Sequence, residues 1–268
     1  MDKVSNISEV LSIIAEIRNK HDGFVTNFYL DEEKHHSWIR NGVMYYEYDD
    51  DCLLVFKKND AFLNLFFVST SIERLVSKLA KLMDNNSETS FVLDLVGRDS
   101  QINPISQQLG QCGFNKVGEF VRMIRINEVE TLNPVDNILF ADVNDVKVVD
   151  SLLHEHFNPL IEQLPLPDEL VSYSNNQQII KCVENNEILG FIIFDKNPTT
   201  IHLRYWLVRP KYRNSKVGSK LLRHFLYLGR DTKRQILWVM QDNDNAIQKY
   251  RHYGFEKENM FDFIMTNK

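Results

Sequence analysis

Between Tyr205 and Leu222 the chain changes character twice. An apolar, strand-like run ends at Val208, the basic stretch Arg209-Pro210-Lys211-Tyr212-Arg213-Asn214-Ser215-Lys216 follows, and an amphipathic helical pattern starts at Val217. A strand that feeds a short loop and then a helix sets that loop beside the helix N-terminus. There the first amides have no carbonyl to bond and the helix dipole is positive. Gly218 lets an anion approach the backbone without meeting a Cβ. Arg209, Lys211, Arg213, Lys216 and Lys220 add positive charge to a chain of 268 residues whose formal net charge is −6. Taken together, these residues describe a site for a polyanion, most simply a diphosphate.

The rest of the chain frames that loop. A hydrophobic content of 43% with 25% charged residues is that of a globular protein with a real core, long enough for two domains. The acidic balance argues against a general nucleic-acid binder. Cys52, Cys112 and Cys182 form no CxxC pair or disulfide framework, which fits a reducing compartment. The first residues lack the continuous apolar stretch of a signal peptide, and no run is long enough to span a bilayer. A cytoplasmic protein with no membrane partner is expected.

The polar, proline-containing stretch from Glu130 to Asn137 divides the pattern, giving expected domains 1–132 and 133–268. Both halves mix strands and helices, an α/β (α+β) class with mixed sheets flanked by helices. In the first, strand-like runs at Cys52–Lys57 and Phe62–Ser69 precede an amphipathic helix over Ser71–Met83. A strand at Phe91–Val96, a helix around Ile105–Gln111 and a strand at Glu119–Ile126 follow. In the second, Ile138–Phe140 is a short strand and Asp142 caps a helix running to His156. Strands at Ile179–Val183, Ile188–Phe194, Ile201–Val208, Gln235–Met240 and Phe261–Met265 are expected, with helices at Val217–Leu228 and Ala246–His252. Cys112-Gly113-Phe114 and Tyr253-Gly254-Phe255 each close a late helix, which suggests a duplication. His35-His36 reads as a solvated pair. His154 and His156, two apart on a helix, point to different faces, so no metal site is expected.

Val208-x-Pro210-x-Tyr212-Arg213-x-x-x-Val217-Gly218-x-x-Leu221-Leu222 resembles the acyl-CoA-binding motif of the GCN5-related N-acetyltransferase (GNAT) superfamily. Asn243-x-x-Ala246-x-x-x-Tyr250-x-x-x-Gly254-Phe255 resembles that family's second motif, in the right order and on the right elements. The resemblance runs from about Ile138 to the C-terminus. One position departs: Lys216 stands where the family's loop has its first glycine. The first half has no such loop, since Thr70 and Ser71 lead straight into a helix, so the resemblance implies tandem GNAT-like units with a degenerate N-terminal half.

The resemblance implies transfer of an acyl group, usually acetyl, from acetyl-CoA to a primary amine of a small molecule or peptide, without a metal. Arg213, Asn214, Ser215, Lys216, Val217, Gly218 and Ser219 would hold the diphosphate. Leu207 and Val208 would pair with the pantetheine arm and supply an oxyanion donor. Asn243 would bond the arm or cap its helix. Tyr250 matches the tyrosine that protonates the departing thiolate. His202 falls at the position of the family's strand glutamate, which removes a proton from the amine directly or through water. The loop from His156 to Asp168 lies where the family builds its acceptor wall. Alternatives are a catalytically weak acyl-CoA sensor and a tandem transferase using another acyl donor, aminoacyl-tRNA included.

Overall fold

The computed structural model describes residues 1–126 and 132–268. Of the expected break, Glu130 and Thr131 lie outside the described residues. The chain forms two compact units, Met1–Glu119 with Asn259–Lys268, and Phe120–Glu258. Division into contiguous halves at Leu132/Asn133 therefore gives way to units that exchange strands. The reason lies in strand pairing, which local sequence pattern does not encode.

In chain order the elements are β1 (Asp2–Lys3), α1 (Ile7–Asn19), β2 (Val25–Thr26), α2 (Glu32–Arg40), β3 (Met44–Tyr48), β4 (Cys52–Lys58), β5 (Leu63–Ser69), α3 (Ile72–Asn85), β6 (Phe91–Gly97), α4 (Asp99–Gln111) and β7 (Asn115–Ile126). There follow β8 (Ile138–Phe140), α5 (Val146–His156), α6 (Pro167–Asn175), β9 (Ile179–Glu184), β10 (Glu187–Lys196), β11 (Thr200–Val208), α7 (Val217–Leu228), β12 (Arg234–Met240), α8 (Asp244–His252) and β13 (Glu256–Thr266).

In the first unit β3, β4 and β5 are antiparallel neighbours, β6 lies parallel to β5, and β13 runs antiparallel to β6 from Phe261 to Thr266. Leu54, Phe56, Leu65 and Phe67 from the sheet pack with Leu75, Leu79 and Leu82 of α3 and with Phe263 and Met265 of β13 in one core. The helical spacing of the three α3 leucines puts them on one stripe. His35 is not the solvated residue expected. It is buried at 3% exposure and stacks on Phe28 at 4.8 Å, while His36 beside it faces out. The local reading missed α2, whose N-cap Asp31 accepts from the Lys34 amide and so turns His35 and Trp38 inward.

β5 and β6 pair only at Leu63–Phe91 and Asn64–Val92 and then separate. The gap is filled by the chain itself. β2 pairs antiparallel with the far end of β5 at Val25–Ser69 and Thr26–Val68. The next side chain, Asn27, accepts from the Phe67 amide at 2.6 Å and donates to the carbonyls of Leu65 and Asp94 at 3.3 and 3.0 Å. One amide side chain thus bonds both separated strands. Gly23, at φ +111°, permits the approach, since a Cβ there would meet the Thr70 carbonyl oxygen at 2.5 Å.

In the second unit β10 pairs antiparallel with β9 and β11, β12 lies parallel to β11, and Phe120–Ile126 of β7 runs antiparallel to β12. One sheet face, carrying Phe191, Ile193, Tyr205 and Leu207, packs on α5 and α6. The other carries Phe194, which meets Phe225 of α7 edge-on. The order strand, helix, parallel strand, helix recurs in both units, and so does the helix stop. Gly113 and Gly254 sit at φ +92° and +82°. Phe114 bonds the Leu109 carbonyl as Phe255 bonds that of Tyr250, the hydrogen-bond pattern of a Schellman cap.

Candidate active site

β11 and β12 pair from Thr200–Arg234 to Leu203–Leu237 and then part, although β11 continues to Val208 and β12 to Met240. The parting begins at a bulge: Ile193 faces Tyr205 and Phe194 faces Leu203, so Arg204 is the extra residue. The Arg209 amide bonds the Leu189 carbonyl. By the alternation of an antiparallel ladder, Leu207 then turns its backbone groups to β10, and Val208 and Trp206 turn theirs to the side β12 has left. An extended ligand with amide groups could bond that bare edge as a strand would.

The basic loop borders this gap. Arg213, Asn214, Ser215 and Lys216 are exposed, and Lys216 takes φ +64°, ψ 4° as the N-cap of α7 without a side-chain cap bond. The Cβ at this position has not closed the turn: the lysine adopts the left-handed conformation that a glycine would take freely. The first amides of α7, from Val217 to Ser219, point out of the helix end with no internal carbonyl to meet. By contrast α3, its counterpart, is capped by the Ser71 hydroxyl, which accepts from the Arg74 amide. Not every cation of the motif is available. Arg209 pairs with Glu187 at 2.6 Å, Lys211 pairs with it at 2.8 Å, and the Tyr212 hydroxyl donates to it at 2.7 Å. Those contacts hold the Glu187 carboxyl below its usual range. They anchor the loop to the β9–β10 turn, leaving Arg213, Lys216 and Lys220 as its outward charges.

Gly218 has a reason beyond phosphate approach. A Cβ there would come within 3.0 Å of the Trp206 ring and 3.4 Å of Val208, so the glycine lets α7 pack onto β11. Trp206 also lies 5.6 Å from the ring of Tyr250 on α8, and its buried indole N–H has no partner among the described residues. An enclosed donor without an acceptor marks a place for a ligand oxygen. Tyr250 is buried, and burial pushes its phenol well above the usual range, keeping the proton on oxygen. Asn243 caps α8 by accepting from the Ala246 amide at 3.1 Å. The free amides, the bare edge of β11 and the unpaired indole all fit a diphosphate carried on an amide-bearing arm.

On the opposite sheet face lie His202 and Tyr205. His202 is half-buried as a residue, and its Nε2 is enclosed and without a partner among the described residues. Burial, then the charges of Arg204 and Arg122, drive its pKa well below 6.5. The Tyr205 hydroxyl donates to the Gln163 carbonyl at 2.5 Å, and its ring meets Phe157 edge-on at 5.5 Å. These contacts fasten the loop between α5 and α6 over β11. Within that loop Glu162 is half-buried, its Oε2 fully enclosed and without a partner among the described residues. Burial alone raises its carboxyl to about 7. The sequence reading passed over Glu162 and Glu187. A lone carboxylate among Leu160, Ile161 and Leu164 was a signal for the first; Glu187, in a polar hairpin turn, gave none.

The likeness to known proteins concerns the fold and the stretch that carries the loop. Residues 148–255 match the Acetyltransferase (GNAT) family. A GCN5-related N-acetyltransferase from Sphaerobacter thermophilus is similar in structure at 14% identity and TM-score 0.59, over 96% of this chain and 90% of that one. A tandem GNAT protein from the clavulanic acid biosynthesis pathway aligns at 10% identity and TM-score 0.60, over 99% and 97%. A GNAT-family acetyltransferase from Colwellia psychrerythraea aligns at 11% identity and TM-score 0.56, over 99% and 97%. No curated protein sequence matches the chain. Residues 148–255 thus carry the GNAT family match, and the chain as a whole shares the fold of these GNAT proteins, the tandem one included. Among the described residues no helix is long and apolar enough to cross a membrane, and no group of His, Cys, Asp or Glu could hold a metal ion.

Proposed function

We propose that the second unit is an acyl-CoA-dependent N-acyltransferase, with acetyl-CoA as donor and a primary amine of a small molecule or peptide as acceptor. The observation that carries this reading is the bare edge of β11 between Arg204 and Val208, beside the uncapped start of α7. The donor supplies an activated thioester. Arg213 to Ser219 bind its diphosphate through backbone amides, with Arg213 and Lys216 adding charge. Leu207 and Val208 line the arm, and the Val208 amide, turned to the gap, is the donor for a carbonyl oxygen gaining negative charge. Holding the amine against the thioester supplies a large share of the acceleration. Tyr250, which burial keeps protonated, gives its proton to the departing sulfur.

The first unit is the degenerate one on this reading. Its equivalent gap contains β2 and Asn27, and its equivalent helix is capped by its own serine. One acetyl-CoA per chain is therefore expected in a calorimetric titration. Ser219→Asp is the sharpest variant. A carboxylate in the first turn favours the helix dipole, so thermal stability holds, while it repels the diphosphate and weakens binding by about tenfold. Two sites per chain would return the cofactor role to both units, and absence of wild-type binding would remove the transferase reading.

A further inference from the structure

We propose that Glu162 is the acceptor-site group that binds the incoming amine as its ammonium ion and takes a proton from it, which makes the acceptor an aliphatic primary amine charged in solution. The inference rests on the transferase reading above but starts from a different observation. An enclosed carboxylate oxygen with neither a hydrogen-bond donor nor a cation is costly to keep in a folded protein, unless something from outside completes it. The complementary group is a small cation that donates hydrogen bonds.

The setting is specific. The Glu162 amide bonds the Asn158 carbonyl at 2.8 Å, which closes the turn that carries it. The next residue, Gln163, accepts from Tyr205 through its carbonyl, and Tyr205 belongs to the stretch of β11 that has parted from β12. The turn that carries Glu162 thus lies over the α5–α6 face of the strand whose free backbone edge is offered to the donor arm. The charged and titratable groups around this point are Tyr205 and Arg204 on β11, Asp195 on β10, and Glu169 and Tyr173 on α6. Asp195 is engaged by Arg204 at 3.7 Å, and Glu169 accepts from the Leu166 amide at 2.6 Å. None of them supplies Glu162 with a cation, and its carboxyl rises to about 7 through burial alone. His202 is the weaker base. Desolvation, then the charges of Arg204 and Arg122, oppose protonation of its imidazole.

The proton count closes. R–NH3⁺ and the Glu162 carboxylate give R–NH2 and the carboxylic acid. The amine nitrogen then bonds the thioester carbon and the carbon–sulfur bond breaks. The thiolate takes the Tyr250 proton, and the second amine proton returns to the Tyr250 oxygen through solvent. The acid form of Glu162 releases its proton to water before the next cycle.

The test uses the full chain labelled with [δ-13C]glutamate, with n-butylammonium chloride as the probe. One glutamate carboxyl is expected to titrate near 7 in wild type, to be missing in Glu162→Gln, and to move to lower pH when the probe is added. Butylamine acetylation, followed by thiol release, should fall about 100-fold in kcat/KM for Glu162→Gln at neutral pH, with the acidic limb of its pH profile flattened. His202→Ala should keep that limb. Acetyl-CoA binding by Glu162→Gln should stay within about twofold of wild type, which also shows that the variant is folded. A carboxyl that the probe leaves in place, or an unchanged rate and profile in Glu162→Gln, would overturn the inference while leaving the transferase reading intact. Failure of the transferase reading shows separately, as wild-type protein that does not bind acetyl-CoA.

Discussion

At the scale of single residues, Lys216 shows how far a motif can drift without losing its geometry. An L-residue in the left-handed region pays about 1–2 kcal/mol relative to its ordinary conformations. The lysine at φ +64° bears that cost where the family's loop has a glycine. Its side chain is exposed and makes no cap bond, so nothing local offsets the strain. Lys216→Gly is therefore expected to stabilise the unit by about 1 kcal/mol, a rise of about 2–4 °C in melting temperature by scanning calorimetry without ligand. A drop in melting temperature would mean that the aliphatic stem contributes packing that its exposure does not suggest. The sequence alone pointed to this loop, because a run of basic residues, a glycine and a helix start are all local. It could not show that Glu187 takes up Arg209, Lys211 and Tyr212, since that partner comes from a separate hairpin.

Among elements, legibility follows how much of the signal is local. β4, β5, β8, α7 and the end of α8 stand where apolar periodicity and the Gly-Phe stops set them. α6 has no counterpart among the expected helices: Pro167 falls at the end of the expected loop from His156 to Asp168, yet occupies the first helical turn, where its missing N–H costs nothing. β2 is too short to leave a pattern, yet it decides what the first unit's gap can hold. Asn27 satisfies the Phe67 amide and the carbonyls of Leu65 and Asp94, which lie where β5 and β6 have parted and β2 has ended. Asn27→Ala is expected to cost about 2 kcal/mol in urea unfolding, because the backbone groups it leaves behind are not all reached by water. It should not create a second acetyl-CoA site, because α3 keeps its serine cap and has no loop of free amides. A cost near zero would show that water replaces the side chain and that the gap is open to small ligands.

For the molecule as a whole, the question is which stretches of chain fold together. The polar break around Asn133 suggested contiguous halves, but β7 follows α4 in sequence and pairs with β12, while β13 follows α8 and pairs with β6. A fragment of residues 1–132 would keep α1 to α4 yet lack Phe263 and Met265, both within the core of the first unit. A fragment of residues 133–268 would lack Val121 and Met123, which are buried in the strand beside β12. Removing two large apolar side chains and a row of strand hydrogen bonds takes away about as much as the 5–15 kcal/mol that holds a typical domain. Neither fragment alone is expected to show a cooperative thermal transition. A chain ending at Glu258 should lose the first unit's transition while keeping the second's, which retains every strand from β7 to β12. Acetyl-CoA should still bind that shortened chain, with the same stoichiometry of one, because every residue assigned to the cofactor lies between Phe120 and Glu258. If binding vanished with the last ten residues, the first unit would have to be counted as part of the cofactor site rather than as its degenerate copy.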